Sequence, residues 1–293
     1  MILLTGATGN VGTALLRRLI AERKQVRCLV RDPRRLGQER VRVQIALGDL
    51  GNPASFRHAL RGVDTVVHLA AAIRDQESAS IEELNGVATL RLLRASERGA
   101  VQRFLFYSAL GATLHSQARF FRAKALAEEA VRGSSLDTVV FAPSIVYSPG
   151  DHWLKLLERM SWLPAMPVSG GGRAVFQPLW ADDAAAATMA VLDGRGGGDG
   201  PIELAGPETL SYDQIVRTVL RSLGRRRRLL HVPLPVVRSG LRAVEATVGA
   251  SSAFATWEEA ELMEIPMTTP KGTAGMESLG VTPLRMSAVL GVA

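Results

Sequence analysis

Cysteine is nearly absent from this chain. Cys28 stands alone among 293 residues, which excludes an intramolecular disulfide and fits a reducing compartment. Lysine is almost as scarce: Lys24, Lys124, Lys155 and Lys271 are the only four of 35 basic residues. The net charge of +7 therefore rests on scattered arginines, with one dense run, Arg225 to Arg228. No aromatic-interleaved stripe accompanies that run. This favours a solvated arginine-rich surface over an attraction for nucleic acid or an anionic membrane. No stretch approaches the roughly 18 apolar residues that span a bilayer. The longest candidate, Val63 to Ile73, is broken by Asp64 and His68 and reads as a strand. No basic segment followed by an apolar core opens the chain. The expectation is a cytoplasmic protein with no transmembrane segment, no nucleic-acid partner and no metal site.

What is present is most informative at residues 1 to 12, MILLTGATGNVG. Ile2, Leu3 and Leu4 form a short apolar run suited to a buried parallel strand. From Val11 to Ile20 the apolar residues recur at helical spacing (Val11, Leu15, Leu16, Leu19, Ile20). A glycine-rich turn between such a strand and helix aims free amides and the positive end of the helix dipole at a diphosphate. The spacing is Gly6-x-x-Gly9-x-x-Gly12, wider at its start than G-x-G-x-x-G. Gly6, Thr8, Gly9, Asn10 and Val11 are the candidate coenzyme cradle.

With 47% hydrophobic residues, the chain can fill one large α/β domain, or one such domain and a smaller one. Strand and helix patterns alternate through the first half. Strands are expected at Ile2–Leu4, Val26–Val30, Val43–Leu47, Thr65–Leu69, Phe104–Tyr107 and Thr138–Phe141. Helices are expected near Val11–Glu22, Pro53–Leu60, Ile81–Arg98 and Gln117–Arg132. This rhythm predicts an α/β fold, a doubly wound parallel Rossmann sheet. After Pro143 it breaks. Pro149, Pro164, Pro167 and Gly170–Gly172 suggest loop-rich structure, followed by helices near Ala181–Leu192, Ser211–Leu223, Pro235–Val248 and Trp257–Glu264. Gly194 to Gly200 reads as a surface loop. The division expected is a dinucleotide-binding domain over residues 1–147 and a small C-terminal substrate lobe over 148–293.

The second strand ends Val30-Arg31-Asp32-Pro33. An acidic residue at that strand end bonds ribose hydroxyls, whereas an arginine accommodates a 2′-phosphate. Arg31 is the first polar residue after the strand, and Pro33 suggests that Asp32 starts a turn. Arg31 favours NADP(H), with NAD(H) left open by Asp32.

TGATGNVG, Gly48-Asp49-Leu50, His68-Leu69-Ala70-Ala71, Asn85 and the Ala-Pro-Ser at 142–144, in that order, resemble the short-chain dehydrogenase/reductase superfamily over nearly the whole chain. The resemblance implies that Asp49 bonds the adenine amino group with Leu50 beside the ring. It also implies that Leu69, Ala70 and Ala71 line the adenosine side, and that Pro143, Ser144 and Val146 border the nicotinamide. In that superfamily a tyrosine four residues before a lysine handles the proton. Here Lys124 holds the lysine position and Phe120 the tyrosine position, and phenylalanine cannot act as an acid. The usual serine aligns with Ala109, leaving Ser108 one residue short. Lys124 remains the candidate catalytic and ribose-holding residue, the other reading being a surface lysine paired with Glu128. Tyr107, Ser108, Thr113, His115 and Tyr147 are candidate substitute donors. His68 reads as a satisfied core histidine, and Asp182-Asp183 as a helix cap.

The missing tyrosine resembles atypical members: NmrA-like proteins and the dehydrogenase-like accessory subunit of respiratory complex I. The runs 121–129 and 141–147 resemble that subunit most. The function expected is an NADPH-dependent reductase of a quinone-like or conjugated small molecule. The alternatives are a non-catalytic nucleotide-binding sensor or complex-stabilising subunit and, disfavoured by Phe120, a sugar-nucleotide epimerase or dehydratase. Trp153, Met160, Trp162, Met166 and Phe176 suggest an apolar pocket or local core. The helices at 81–98 and 117–132 could pair across a two-fold as a homodimer.

Overall fold

Parallel strands buried on both faces dominate the fold, and alternation along each strand feeds two cores. A computed structural model describes residues 1–76, 79–196, 200–249 and 253–292. β1 (Ile2–Thr5), β2 (Val26–Val30), β3 (Gln44–Leu47), β4 (Thr65–His68), β5 (Arg103–Tyr107) and β6 (Asp137–Pro143) lie close to their expected positions. They run side by side in the order β3-β2-β1-β4-β5-β6, and Ile202–Leu204 adds a seventh parallel strand beside β6. Sequence reading missed that last strand, because three residues are too few to show a period.

Helices α1 (Asn10–Ala21), α2 (Pro53–Phe56), α3 (Ala88–Glu97), α4 (Arg119–Arg132), α5 (His152–Met160), α6 (Ala181–Leu192), α7 (Tyr212–Ser222), α8 (Leu234–Val248) and α9 (Trp257–Leu262) follow. On β1, Leu4 points to a core shared with Leu15 and Leu19 of α1 and Ala184 and Val191 of α6. Its neighbour Leu3 points to the opposite core, with Phe56, Leu92, Phe104 and Val131. A third core, with Leu157, Phe176, Val216 and Leu220, lies beneath the second half of the chain. Cys28 is buried in β2, and burial pushes its thiol up to about 12, which leaves it unreactive.

Three expectations need correction. The helix over Ile81–Arg98 is not uniform, since Glu83–Val87 is π-helical before α3 begins. Its buried Asn85 is bonded to the Ala72 amide and carbonyl and to the Ile81 carbonyl. The segment after Pro143 is not loop throughout, because α5 forms there with Asp151 as its N-cap. Trp153, Leu157 and Met160 carry its helical period, which the flanking Pro149 and Pro164 obscure. Asp182 and Asp183 are not caps: α6 starts after Trp180, and both lie in its first turn. Asp182 pairs with Arg18 of α1, and Asp183 accepts from the Leu284 amide at 2.8 Å. Residues 197–199 of the glycine cluster lie outside the described residues, and those around them are turn and coil.

Candidate active site

The turn after β1 is built for close approach. Gly6 has φ 71°, and a Cβ there would lie 2.6 Å from the Ala70 amide nitrogen. A Cβ on Gly12 would lie 2.0 Å from the Gly6 carbonyl oxygen, so α1 can seat on the turn only with glycine at that position. α1 begins at Gly9 with no side-chain cap and no acidic residue in its first turn. Gly9 and Asn10 are exposed, Thr8 and Val11 half-buried. The donor set therefore fits a diphosphate: an uncapped twelve-residue helix with its positive end open.

The remaining nucleotide candidates sit at the carboxyl ends of neighbouring strands. Arg31 follows β2, is exposed, and makes no ion pair among the described residues. Asp32 instead caps the turn beginning at Pro33, accepting from the Arg34 amide and Nε, both at 3.0 Å. That hydrogen bond with Arg34 holds the Asp32 carboxyl below its ordinary range. Asp49 Oδ1 accepts from the Gly51 amide at 2.9 Å in a turn that also holds Leu50 half-buried. Leu69, Ala70 and Ala71 follow β4, and the Ala70 amide donates to Thr5 Oγ1.

Next to this row opens a cavity of about 580 Å³. Asn10, Leu69, Ala71, Pro143, Ser144 and Val146, all nucleotide candidates from the sequence, line it. Lys124 and Phe120 of α4 meet them there, with Ser108 and Ala109 following β5. Lys124 is only 2% exposed, so the surface pairing with Glu128 is not what forms. Its Nζ donates to the Tyr107 carbonyl at 2.6 Å and lies 4.9 Å from the Phe106 ring centre and 5.8 Å from that of Phe120. Burial brings its pKa down from 10.5 to about 7. An amine so poised can take or give a proton near neutral pH.

Among the candidate donors, only Ser108 lines the cavity with a hydroxyl that no partner engages. It is 4% exposed, and its Oγ has no hydrogen-bond partner. The Tyr107 hydroxyl turns to the other face of the sheet and bonds the Ala184 carbonyl and Thr188 Oγ1. Thr113 and His115 are exposed and do not line the cavity, and neither does the buried Tyr147. Ser144 lines it, but its hydroxyl is engaged, donating to the Met267 carbonyl and accepting from the Gln177 amide. His68 is fully buried between Thr5 Oγ1 at 2.7 Å and Thr89 Oγ1 at 2.9 Å. Burial, and secondarily the charge of Lys124, lower its pKa to about 3. It is the satisfied core histidine expected.

Sequence reading named only Trp153 and Met160 of the cavity's far wall. Trp153, Leu156 and Met160 of α5, Tyr212 of α7, and Val237 and Leu241 of α8 line it. Of the apolar candidates, Trp153 and Met160 face the cavity, Met166 and Phe176 are core, and Trp162 lies on the surface. Asp151 ties this wall to the glycine turn, accepting from Asn10 Nδ2 at 3.1 Å as well as from the Leu154 and Ser148 amides. The half-buried Arg74 reaches from the loop after β4 to Glu259 at 2.6 Å and to the Ala253 carbonyl. Of these ties, only the helix-starting aspartate at 151 carries a local signal.

Residues 6–158 match the model of a protein family described as NAD(P)H-binding. Over 250 residues the chain is 29% identical to NADH dehydrogenase [ubiquinone] 1 alpha subcomplex subunit 9, mitochondrial, of Arabidopsis thaliana. That match covers 80% of this chain and 60% of the relative, so the chain spans less than two thirds of the plant protein's length. It is 27% identical over 275 residues to the ceramide reductase of Caulobacter vibrioides, covering 92% of this chain and 86% of that one. The NADPH-dependent quinone oxidoreductase of Escherichia coli, solved with NADPH, shares the fold with a TM-score of 0.74 at 16% identity, covering 99% of each chain. The relatives include the complex I subunit that the sequence resembles and a reductase.

Proposed function

The chain belongs to the NAD(P)H-binding family, and we propose that it is an NADPH-dependent reductase of an apolar quinone-like or conjugated small molecule. The observation that carries this reading is an apolar cavity with an unpartnered buried hydroxyl, Ser108, and a buried amine, Lys124. A buried donor with no acceptor is costly unless a ligand supplies one. Of residues 148–293, α5, α7 and α8 serve in this reading as the substrate lobe, since they supply the far wall, whereas α6 and Ile202–Leu204 belong with the central sheet.

The glycine turn holds the diphosphate, Asp49 and Leu50 flank the adenine, and Lys124 binds the nicotinamide ribose. A bound nicotinamide supplies hydride. Ser108 Oγ donates to the acceptor's oxygen, and Lys124 passes the proton that completes the reduction. Phe120 and the α5 side chains exclude water. Quinone-like or conjugated acceptors suit a site without a tyrosine, because their reduced oxygen is a weak base and needs no strong acid. No arginine lines the described cavity, which argues against a sugar-nucleotide diphosphate. Phe120 also favours a second reading, in which the protein binds the coenzyme for sensing or assembly without turnover. NADPH oxidation against a panel of quinones and conjugated enones decides between them. Turnover is expected with apolar acceptors; tight NADPH binding with no turnover on any acceptor would establish the second.

Arg31 is proposed to select NADPH over NADH. Arg31→Asp is expected to weaken NADPH about a hundredfold, replacing a charge-assisted pair by repulsion, while NADH changes by less than about threefold. Fluorescence titration of both coenzymes measures this, and equal losses would remove the basis for naming NADP.

A further inference from the structure

The arginine run has no part in the cavity, yet it organises the surface around the cavity's mouth. Arg225 places its guanidinium 3.7 Å from the ring centre of Trp162 and bonds the Ser161 hydroxyl. Arg227 Nε donates to the Ser161 carbonyl at 3.0 Å. Together they hold Trp162, 71% exposed, and the exposed Leu163 outward, two and three residues after the cavity-lining Met160. The strand that follows the run, Arg228–Val232, pairs in parallel with Ala165–Ser169. Its Leu230 stands opposite Pro167 and so shares the face on which Pro167 lines the cavity. Leu230 is nonetheless 56% exposed.

From Val232 the chain enters α8, which has no buried residue among those described. Val237 and Leu241 of α8 line the cavity, while Val236 is exposed. Phe254 both lines the cavity and is 53% exposed, so it marks the mouth. Residues 225–249 carry six arginines and one acidic residue, Glu245.

We propose that this face, with Trp162, Leu163, Leu230, Val236 and Phe254 projecting among arginines, docks on the surface of an anionic lipid bilayer. Water contact at five large apolar side chains is unfavourable in proportion to area, and insertion into the headgroup boundary relieves it. Tryptophan beside arginine is the pairing that a membrane interface favours, its ring shallowly buried and the cations on lipid phosphates. Six arginines against one acidic residue over 225–249 add attraction to acidic lipid, with Asp213 beside His231 and Glu261 near Arg238 as the opposing charges. The arrangement fits lipid better than nucleic acid, because three of the five projecting residues are aliphatic and offer no flat stacking platform. No helix among the described residues is long and apolar enough to cross a membrane, so the contact is at the surface. The cavity mouth then faces the bilayer. The docking itself is independent of the reductase reading.

Co-sedimentation of the full chain with phosphatidylcholine vesicles, with and without phosphatidylglycerol, tests this. Binding is expected to require phosphatidylglycerol. R226Q and R228Q, which leave the Arg225–Trp162 stack in place, are expected to weaken it about fivefold for each arginine removed. The double variant W162S/L230S is expected to weaken it about tenfold. Its coenzyme affinity, set by the distant glycine turn, reports that the fold is kept. No binding to acidic vesicles would overturn the proposal. So would binding indifferent to W162S/L230S, or an equal affinity for polyuridylate, since either reduces the surface to unspecific charge attraction.

Discussion

Lys124→Met is expected to stabilise the coenzyme-free protein near neutral pH while abolishing its turnover. The unfolded chain holds this amine protonated up to about pH 10.5, but the folded site depresses its pKa to about 7. Below pH 7 both states carry the proton and the full desolvation penalty is present. As pH rises from 7 towards 10.5 the penalty shrinks, and above that range it is gone. At pH 7 it reaches roughly 4 kcal/mol. Loss of the bond to the Tyr107 carbonyl offsets about half, leaving a gain of about 2 kcal/mol and several degrees in Tm. Thermal melts of both proteins at pH 7 and pH 10.5 measure this, the difference shrinking or reversing at the higher pH. A variant less stable by the same amount at both pH values would show that the amine is not held short of protonation. NADPH-dependent turnover should fall about 10²-fold or more, since in the proposed function the same amine positions the ribose and relays the proton.

This coupling of cost and function explains why the position is legible in the sequence. A lysine in an arginine-rich chain, flanked by Phe120, Phe121 and Leu126, suggests a partly dry setting. The fold confirms burial but takes only Phe120 and Phe121 inward, since Leu126 is exposed. The sheet is equally legible, because buried parallel strands are continuous apolar runs and their spacing by helices is regular. Leu3 and Leu4 show the logic in two residues, one for each core. Gly6 and Gly12 announce the turn because backbone approach leaves no room for any other residue.

What the sequence conceals depends on contacts between distant positions. Asn10 meets Asp151 across 141 positions, and Arg74 meets Glu259 across 185. No local period encodes such pairs. α5 is hidden by the prolines around it, and the exposed Leu230 reads as an ordinary strand residue; only its register with Pro167 places it on the cavity face. Ser108 illustrates the limit of alignment. One residue out of family register, it still lines the cavity and carries a buried hydroxyl with no partner, at the point where the chain leaves β5 and strand alternation no longer governs the side chain.

The arrangement around Phe120 leads to the second large effect. Its ring lines the cavity with its centre 5.8 Å from the Lys124 amine, on the same face of α4 one turn earlier. A hydroxyl added at the ring's end would join the cavity that Lys124 and Ser108 also line, with a nearby amine whose protonated form lowers its pKa. Phe120→Tyr is therefore expected to raise NADPH-dependent reduction of an unconjugated apolar ketone by about 10²-fold, the lower end of what a positioned acid contributes. Quinone reduction should change by less than about threefold, because a hydroquinone oxygen needs no strong acid. Steady-state kinetics on one ketone and one quinone of similar shape measure the contrast, with NADPH affinity as the check on folding. Equal gains on both would point to better binding rather than proton delivery. No gain on the ketone, with coenzyme affinity intact, would mean that the ring does not stand where the proton is given. The site would then owe its chemistry to Ser108 and Lys124 alone.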